Sequence, residues 1–127
     1  MRFFKHSIIV CFVLASATAF ASGEDTYKAV CANCHSKAVA NSPQMGDVAK
    51  WAPLIAEGQV TLTAHGYVGV RSMPAKGGNP NLSVEGFADA LVYMVNNSGG
   101  KWTSPDAKTL VAINKEIEAR KAGLNKK

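Results

Sequence analysis

Cysteine is scarce in this chain, with three residues in 127, and no second C-x-x-C pair or H-x-x-x-H spacing is available to complete a metal site. No run of about 20 apolar residues is long enough to span a bilayer. No stretch alternates with period two over a strand length, and there is neither an internal repeat nor a low-complexity segment. These gaps argue against a membrane-spanning helix and against a β architecture. Acidic residues are outnumbered, nine to fourteen Lys and Arg. Much of the excess sits in the tail as Lys115, Arg120, Lys121, Lys126 and Lys127, a pattern more typical of a solvated helix face than of a nucleic-acid patch.

The beginning of the chain stands apart. Residues 1 to 21 carry Arg2 and Lys5, an apolar run from Ile8 to Leu14 and the small-residue exit ATAFA, which together read as a secretory signal peptide. Ala19-Phe20-Ala21 fits the cleavage pattern, placing the mature start at Ser22 and the protein in the periplasm, without stable membrane insertion after cleavage. Cys11 leaves with the signal. The mature chain then has 106 residues and a formal charge of +3, because Arg2 and Lys5 are removed from a total of +5. Its two cysteines, Cys31 and Cys34, lie in a compartment that permits disulfides.

Helical spacing recurs along the mature chain, which reads as all-α. A first helix opens near Asp25 and runs into CANCH, residues 31 to 35; SKAVANSPQMG follows as a looser stretch broken by Pro43 and Gly46. Asp47 caps a short helix with Val48 and Trp51, which Pro53 kinks or divides. Gly58 and Gly66 bracket another, QVTLTAH, and Tyr67 to Leu82 is a long loop centred on RSMPAKGGNPN. Ser83 caps VEGFADALVYMVNN, and Ser98-Gly99-Gly100 ends it. The last helix has Ser104 as N-cap, Pro105 at its first position, and Leu110, Ile113 and Ile117 on one stripe. The organisation is therefore a domain over residues 22 to 99 with a C-terminal helical extension over 100 to 127. Short helices and long loops bury little apolar surface, and small domains of this kind need a disulfide, a metal or a cofactor.

CANCH supplies candidates for that role. Zinc would need four ligands, and Cys31, Cys34, His35 and His65 contain no second paired half-site. A thiol-disulfide oxidoreductase would place C-x-x-C after a strand, and no βαβ pattern precedes it. A disulfide between Cys31 and Cys34 would close too short a loop to constrain the unfolded chain much, and it leaves His35 unexplained. Covalent haem attachment uses all three residues. Cysteines at i and i+3 share a helix side, where both sulfurs can form thioethers with the two vinyl groups of one porphyrin. His35 is next in the chain as proximal iron ligand, and the haem fills the missing core.

A sixth ligand must come from Met45, Met73, Met94 or His65. Met94 has the spacing of a core residue, and Met45 would require a tight return. His65 competes as a chemically reasonable second imidazole. Met73 sits on the long loop, made locally stiff and extended by Pro74.

CANCH, Pro43, GDVAKWAPLIAEG, SMPAKGGNPNLS and FADALVYMV together resemble a class I cytochrome c, most of all the bacterial cytochrome c5 group, over residues 23 to 97. The resemblance implies an all-α fold of short helices around one covalently bound haem c, with Cys31 and Cys34 as attachment points, His35 as proximal and Met73 as distal iron ligand. It implies that the Pro43 carbonyl orients the His35 imidazole. Trp51 stands nearby, either as a donor to a haem propionate or as a core aromatic. One departure is the methionine loop, where many c5-type proteins carry a cysteine pair and this chain has GGNPN. The other is the extension beyond Gly100.

The function that follows is a monomeric one-electron carrier between respiratory redox partners, docking transiently and without a catalytic residue of its own. Two alternatives stand beside it: a haem-bearing subunit of a larger redox complex docked through the tail, or a small haem enzyme or sensor with a displaceable Met73. The purified mature protein is expected to retain its haem covalently in acid denaturant; release into the organic phase would refute attachment through CANCH.

Overall fold

The first helix begins where a serine and an aspartate satisfy each other's free backbone N–H. In the computed structural model, which describes residues 21–126, Ser22 Oγ accepts from the Asp25 amide at 3.1 Å and an Asp25 carboxylate oxygen accepts from the Ser22 amide at 3.2 Å. This capping box opens α1, Gly23–Thr26. The predicted signal peptide lies outside the described residues apart from Ala21. The Ser22 hydroxyl, which donates to the Asp25 carboxylate at 2.7 Å, and the Ser22 amide together hold the Asp25 carboxyl below its ordinary pKa. From α1 the chain continues through a single π turn, Tyr27–Cys31, into α2, Ala32–His35, so CANCH occupies the end of one helical run.

Beyond a loop, Asp47 caps α3, Val48–Ala56, by accepting from the Lys50 amide at 3.1 Å. Pro53 is inside α3, which continues to Ala56. α4 follows as Gln59–Val68 and corrects one expectation: Gly66 does not end it, and Gly69 does. The reason is packing, since a Cβ on Gly66 would lie 2.8 Å from Phe87 Cζ, so the glycine makes room for a ring. Ser83 caps α5, Val84–Asn96, through the Gly86 amide. The N-cap of α6, Ala107–Leu124, is Asp106 and not Ser104; its carboxylate accepts from the Thr109 amide at 2.7 Å, leaving Ser104 and Pro105 in the connector. Among the described residues there is no named strand, only an isolated bridge between Val70 and Met73.

Two helix pairings build the molecule. α1 crosses α5 at Gly23, where a Cβ would overlap the Asp89 carbonyl, and the Tyr27 and Tyr93 rings pack 5.4 Å apart on the same crossing. α4 lies against α6, whose Ile113 and Ile117 join the cluster formed by Tyr27, Trp51, Leu62, Tyr67, Phe87, Leu91 and Met94. The extension thus shares the main core. Gly23→Ala is expected to push α1 off α5 and destabilise the protein by about 1–3 kcal/mol, read as a lower thermal midpoint of the holoprotein; an unchanged midpoint would show that the crossing tolerates a side chain.

Candidate functional site

His35 is the organising side chain. It is buried, at 7 % exposure, at the end of α2, and its Nδ1 lies 2.8 Å from the Pro43 carbonyl oxygen. A carbonyl oxygen only accepts, so Nδ1 carries the proton and Nε2 keeps its lone pair. The Trp51 ring stands 6.2 Å from the imidazole, centroid to centroid. Trp51 Nε1 donates to the Gln44 carbonyl at 3.0 Å, so this indole is a core aromatic whose N–H already has a protein partner.

The loop bearing Pro43 is stitched to the helix that bears His35. The Met45 amide donates to the His35 carbonyl at 2.8 Å, Ser42 Oγ to the Cys34 carbonyl at 2.9 Å, and Gln44 Nε2 to the Ser36 carbonyl at 3.1 Å. The chain reverses there through Ala38, Ala40 and Asn41, all in the left-handed region. The far end of the loop is fixed by the Gly46 amide, which donates at 2.9 Å to the hydroxyl of Ser98, a fully buried residue after α5.

Cys31 and Cys34 are not joined in a disulfide; Cys31 is buried and Cys34 exposed. Burial pushes the Cys31 thiol up to about 11, since a thiolate there would lose its hydration. Among the described residues no three His, Cys, Asp or Glu side chains converge on a common point for a metal ion.

Met73 occupies a tight turn. Its amide donates to the Val70 carbonyl at 2.9 Å and its carbonyl accepts from the Val70 amide at 3.1 Å, with Arg71 left-handed between them. Its methyl lies 3.6 Å from where a Gly66 Cβ would be. The GGNPN segment holds itself without cysteines. Tyr67 Oη donates to the Leu82 carbonyl at 3.0 Å, Lys76 Nζ to the Pro80 carbonyl at 3.1 Å, and the Lys76 ammonium stands 5.6 Å from the Tyr67 ring centroid. Backbone bonds from Gly77 to Pro74, from Asn79 to Lys76 and from Leu82 to Asn79 close the rest.

Of the other sixth-ligand candidates, Met94 is buried in the core, and Met45, like Met73, is partly buried and packs against it. His65 Nδ1 is 3.3 Å from a Glu57 carboxylate oxygen, and the residue lines a groove of about 410 Å³ with Arg120 and Leu124 of α6.

Two features were not legible in the motif pattern. Ser98 reads as a helix terminator and is in fact the acceptor for Gly46. Thr63, fully buried, has a hydroxyl with no protein partner; its spacing of three and four residues from Gly66 and Tyr67 puts it on their face of α4. Two unpaired cysteines one helical turn apart, an adjacent imidazole whose Nδ1 is bonded to a carbonyl, and a thioether on an anchored turn have the chemistry that fits a covalent haem.

Comparison with known proteins agrees. The family model described as "Cytochrome C oxidase, cbb3-type, subunit III" matches residues 18–94. Cytochrome c-555 of Chlorobaculum tepidum is 41 % identical over 76 % of this chain and 97 % of its own length, and cytochrome c-555 of Chlorobaculum thiosulfatiphilum is 45 % identical over 61 % and 95 %. A chain from the crystal structure of an electron transfer complex of nitrite reductase with cytochrome c is 36 % identical, with a TM-score of 0.58, over 60 % of this chain and 93 % of that one. The chain belongs to the class I cytochrome c family and carries covalently bound haem c with its iron. α6 lies beyond the span that the family model matches.

The Ser98 clamp is open to direct test. Ser98→Ala leaves the Gly46 amide without its acceptor and is expected to cost about 1–2 kcal/mol in denaturant unfolding of the holoprotein, whereas no loss would mean that the loop is held by its bonds to α2 alone.

Proposed function

We propose that this protein is a periplasmic carrier of single electrons, in which Cys31 and Cys34 would attach the haem and His35 and Met73 would ligate its iron. The observation that carries the reading is the fixed His35 ring: its Nδ1–H is committed to Pro43 at 2.8 Å and Nε2 is left as the donor. That hydrogen bond sets the tautomer and raises the basicity of the ligand. Met73 is held from its backbone by Val70 and has its methyl over Gly66, so its sulfur is presented by two independent supports.

Bound haem supplies a ferric/ferrous couple, and a thioether ligand raises its potential relative to a second imidazole. With both axial positions taken by the chain, no substrate needs to reach the metal, which favours a carrier over an enzyme or sensor. Docking through a small interface, below about 1,200 Å², suits such a carrier. The related cytochrome c found in complex with nitrite reductase supports this mode. Against the complex-subunit reading, the apolar stripe of α6 is spent on the protein's own core through Ile113 and Ile117.

Export is supported by the composition of the first 21 residues, and Ser22, next in the chain, caps the first described helix. Cleavage after Ala21 turns the Ser22 amide into an ammonium 3.2 Å from the Asp25 carboxylate, so the cap gains an ion pair. No described helix is long and apolar enough to cross a membrane.

Met73→Ala is expected to abolish the weak sulfur-to-iron absorption band at the red edge of the visible spectrum in the ferric protein, and His65→Ala to leave it intact. A parent protein without that band, in which His65→Ala and not Met73→Ala alters the iron's coordination, would assign the sixth position to His65.

A further inference from the structure

We propose that α6 is the strut that keeps Met73 in place, with Ile113 and Ile117 as its positioning residues; this rests on the reading of Met73 as iron ligand. α4 is two-faced. Gly66 and Tyr67 meet Phe87 on one side, and Met73 Cε approaches Gly66 there. Helical spacing puts Ala64, His65 and Val68 on the other side, and His65 and Val68 line the groove shared with α6. Ala64 is completely buried, and its small side chain permits a close approach of the two helices.

The two helices run in the same direction. At the start of α4, Gln59 Nε2 donates to the Thr103 carbonyl at 2.9 Å, just ahead of α6. At its end, Val68, Gly69, Val70 and Arg71 face Arg120, Gly123 and Leu124 across the groove. α6 therefore backs α4 from its first residue to the turn in which Val70 and Met73 exchange hydrogen bonds. The connector that delivers α6 is itself pinned: Asn96 Nδ2 donates to the Trp102 carbonyl at 2.8 Å and Asn96 Oδ1 accepts from the Trp102 amide at 2.7 Å. Ile113 and Ile117, at 0 % and 2 % exposure, are the side chains by which the strut grips the core.

Lasting displacement of Met73 is easiest when its turn parts from Val70 or α4 shifts, and α6, which backs α4, resists the shift. Loss of that support raises the population of the opened loop, a local event that need not unfold the protein. The helix thus does the work that a disulfide would do in a loop with a cysteine pair.

The test is the rate at which exogenous imidazole binds the ferric full-length holoprotein, which requires Met73 to leave. Ile113→Ala/Ile117→Ala is expected to raise that rate about tenfold or more, and the conservative pair Ile113→Val/Ile117→Leu to restore it. Gln59→Ala, which leaves the core whole, is expected to raise it about two- to threefold by removing one hydrogen bond. It also decides the matter if the double variant fails to fold. Tyr93→Ala, at the α1–α5 crossing, serves as the control for general loosening and is expected to leave the rate unchanged. Unaltered rates in the α6 and Gln59 variants, or an equal rise in Tyr93→Ala, would overturn the proposal. A parent protein without the sulfur-to-iron band would instead overturn the ligand reading beneath it.

Discussion

The hydrogen bond from His35 Nδ1 to the Pro43 carbonyl is the interaction on which the rest of the site depends. A histidine at the end of a four-residue helical turn has no intrinsic reason to hold one ring orientation or one tautomer. Proline offers a carbonyl and no competing N–H, and the loop that contains it is tied back to α2 by Ser42, Gln44 and Met45. That loop is anchored through Gly46 to Ser98, so the end of α5 fixes the loop that orients His35. Since α5 also crosses α1 at Gly23, both ends of the CANCH helical run are referenced to one helix.

A similar economy operates at Met73. Met73 is positioned by its exchange with Val70 and by the absence of a side chain at Gly66, both features of α4 and the residues that follow it. α4 has only ten residues and a mixed sequence, so its place is set by what surrounds it more than by propensity. Phe87 from α5 packs at Gly66, and α6 covers the other side. The GGNPN loop needs no cysteine because Tyr67 and Lys76 bind its backbone carbonyls directly.

Much of this was legible in the residues. CANCH, the N-caps at Asp47 and Ser83, and the stripe of Ile113 and Ile117 follow from local chemistry and spacing, and the structure places all of them as expected. The proximity of Pro43 to His35 came from family resemblance, since nothing in the sequence itself says that a carbonyl eight residues on will return to the ring. The errors have a common cause. Gly66 has the local signature of a helix stop, and tertiary packing against Phe87 makes it a helix interior residue. Ser104 and Pro105 form a good local start for α6, yet Asp106 won the cap because its carboxylate reaches the Thr109 amide. Ser98 and Thr63 were invisible because their significance lies in partners that are far away in sequence or absent from the chain. The left-handed turn through Ala38, Ala40 and Asn41 carries no glycine to announce it.

These constraints support the proposed site, in which His35 and Met73 would both ligate the iron. Such a site suits the proposed carrier, which must accept and release an electron without opening its metal to other ligands. The most direct test of this central claim is to expose the reduced holoprotein to carbon monoxide and record its visible spectrum. An unchanged spectrum over minutes is the predicted result; rapid conversion to a carbon monoxide complex would contradict it, because it would show an iron that the chain leaves open.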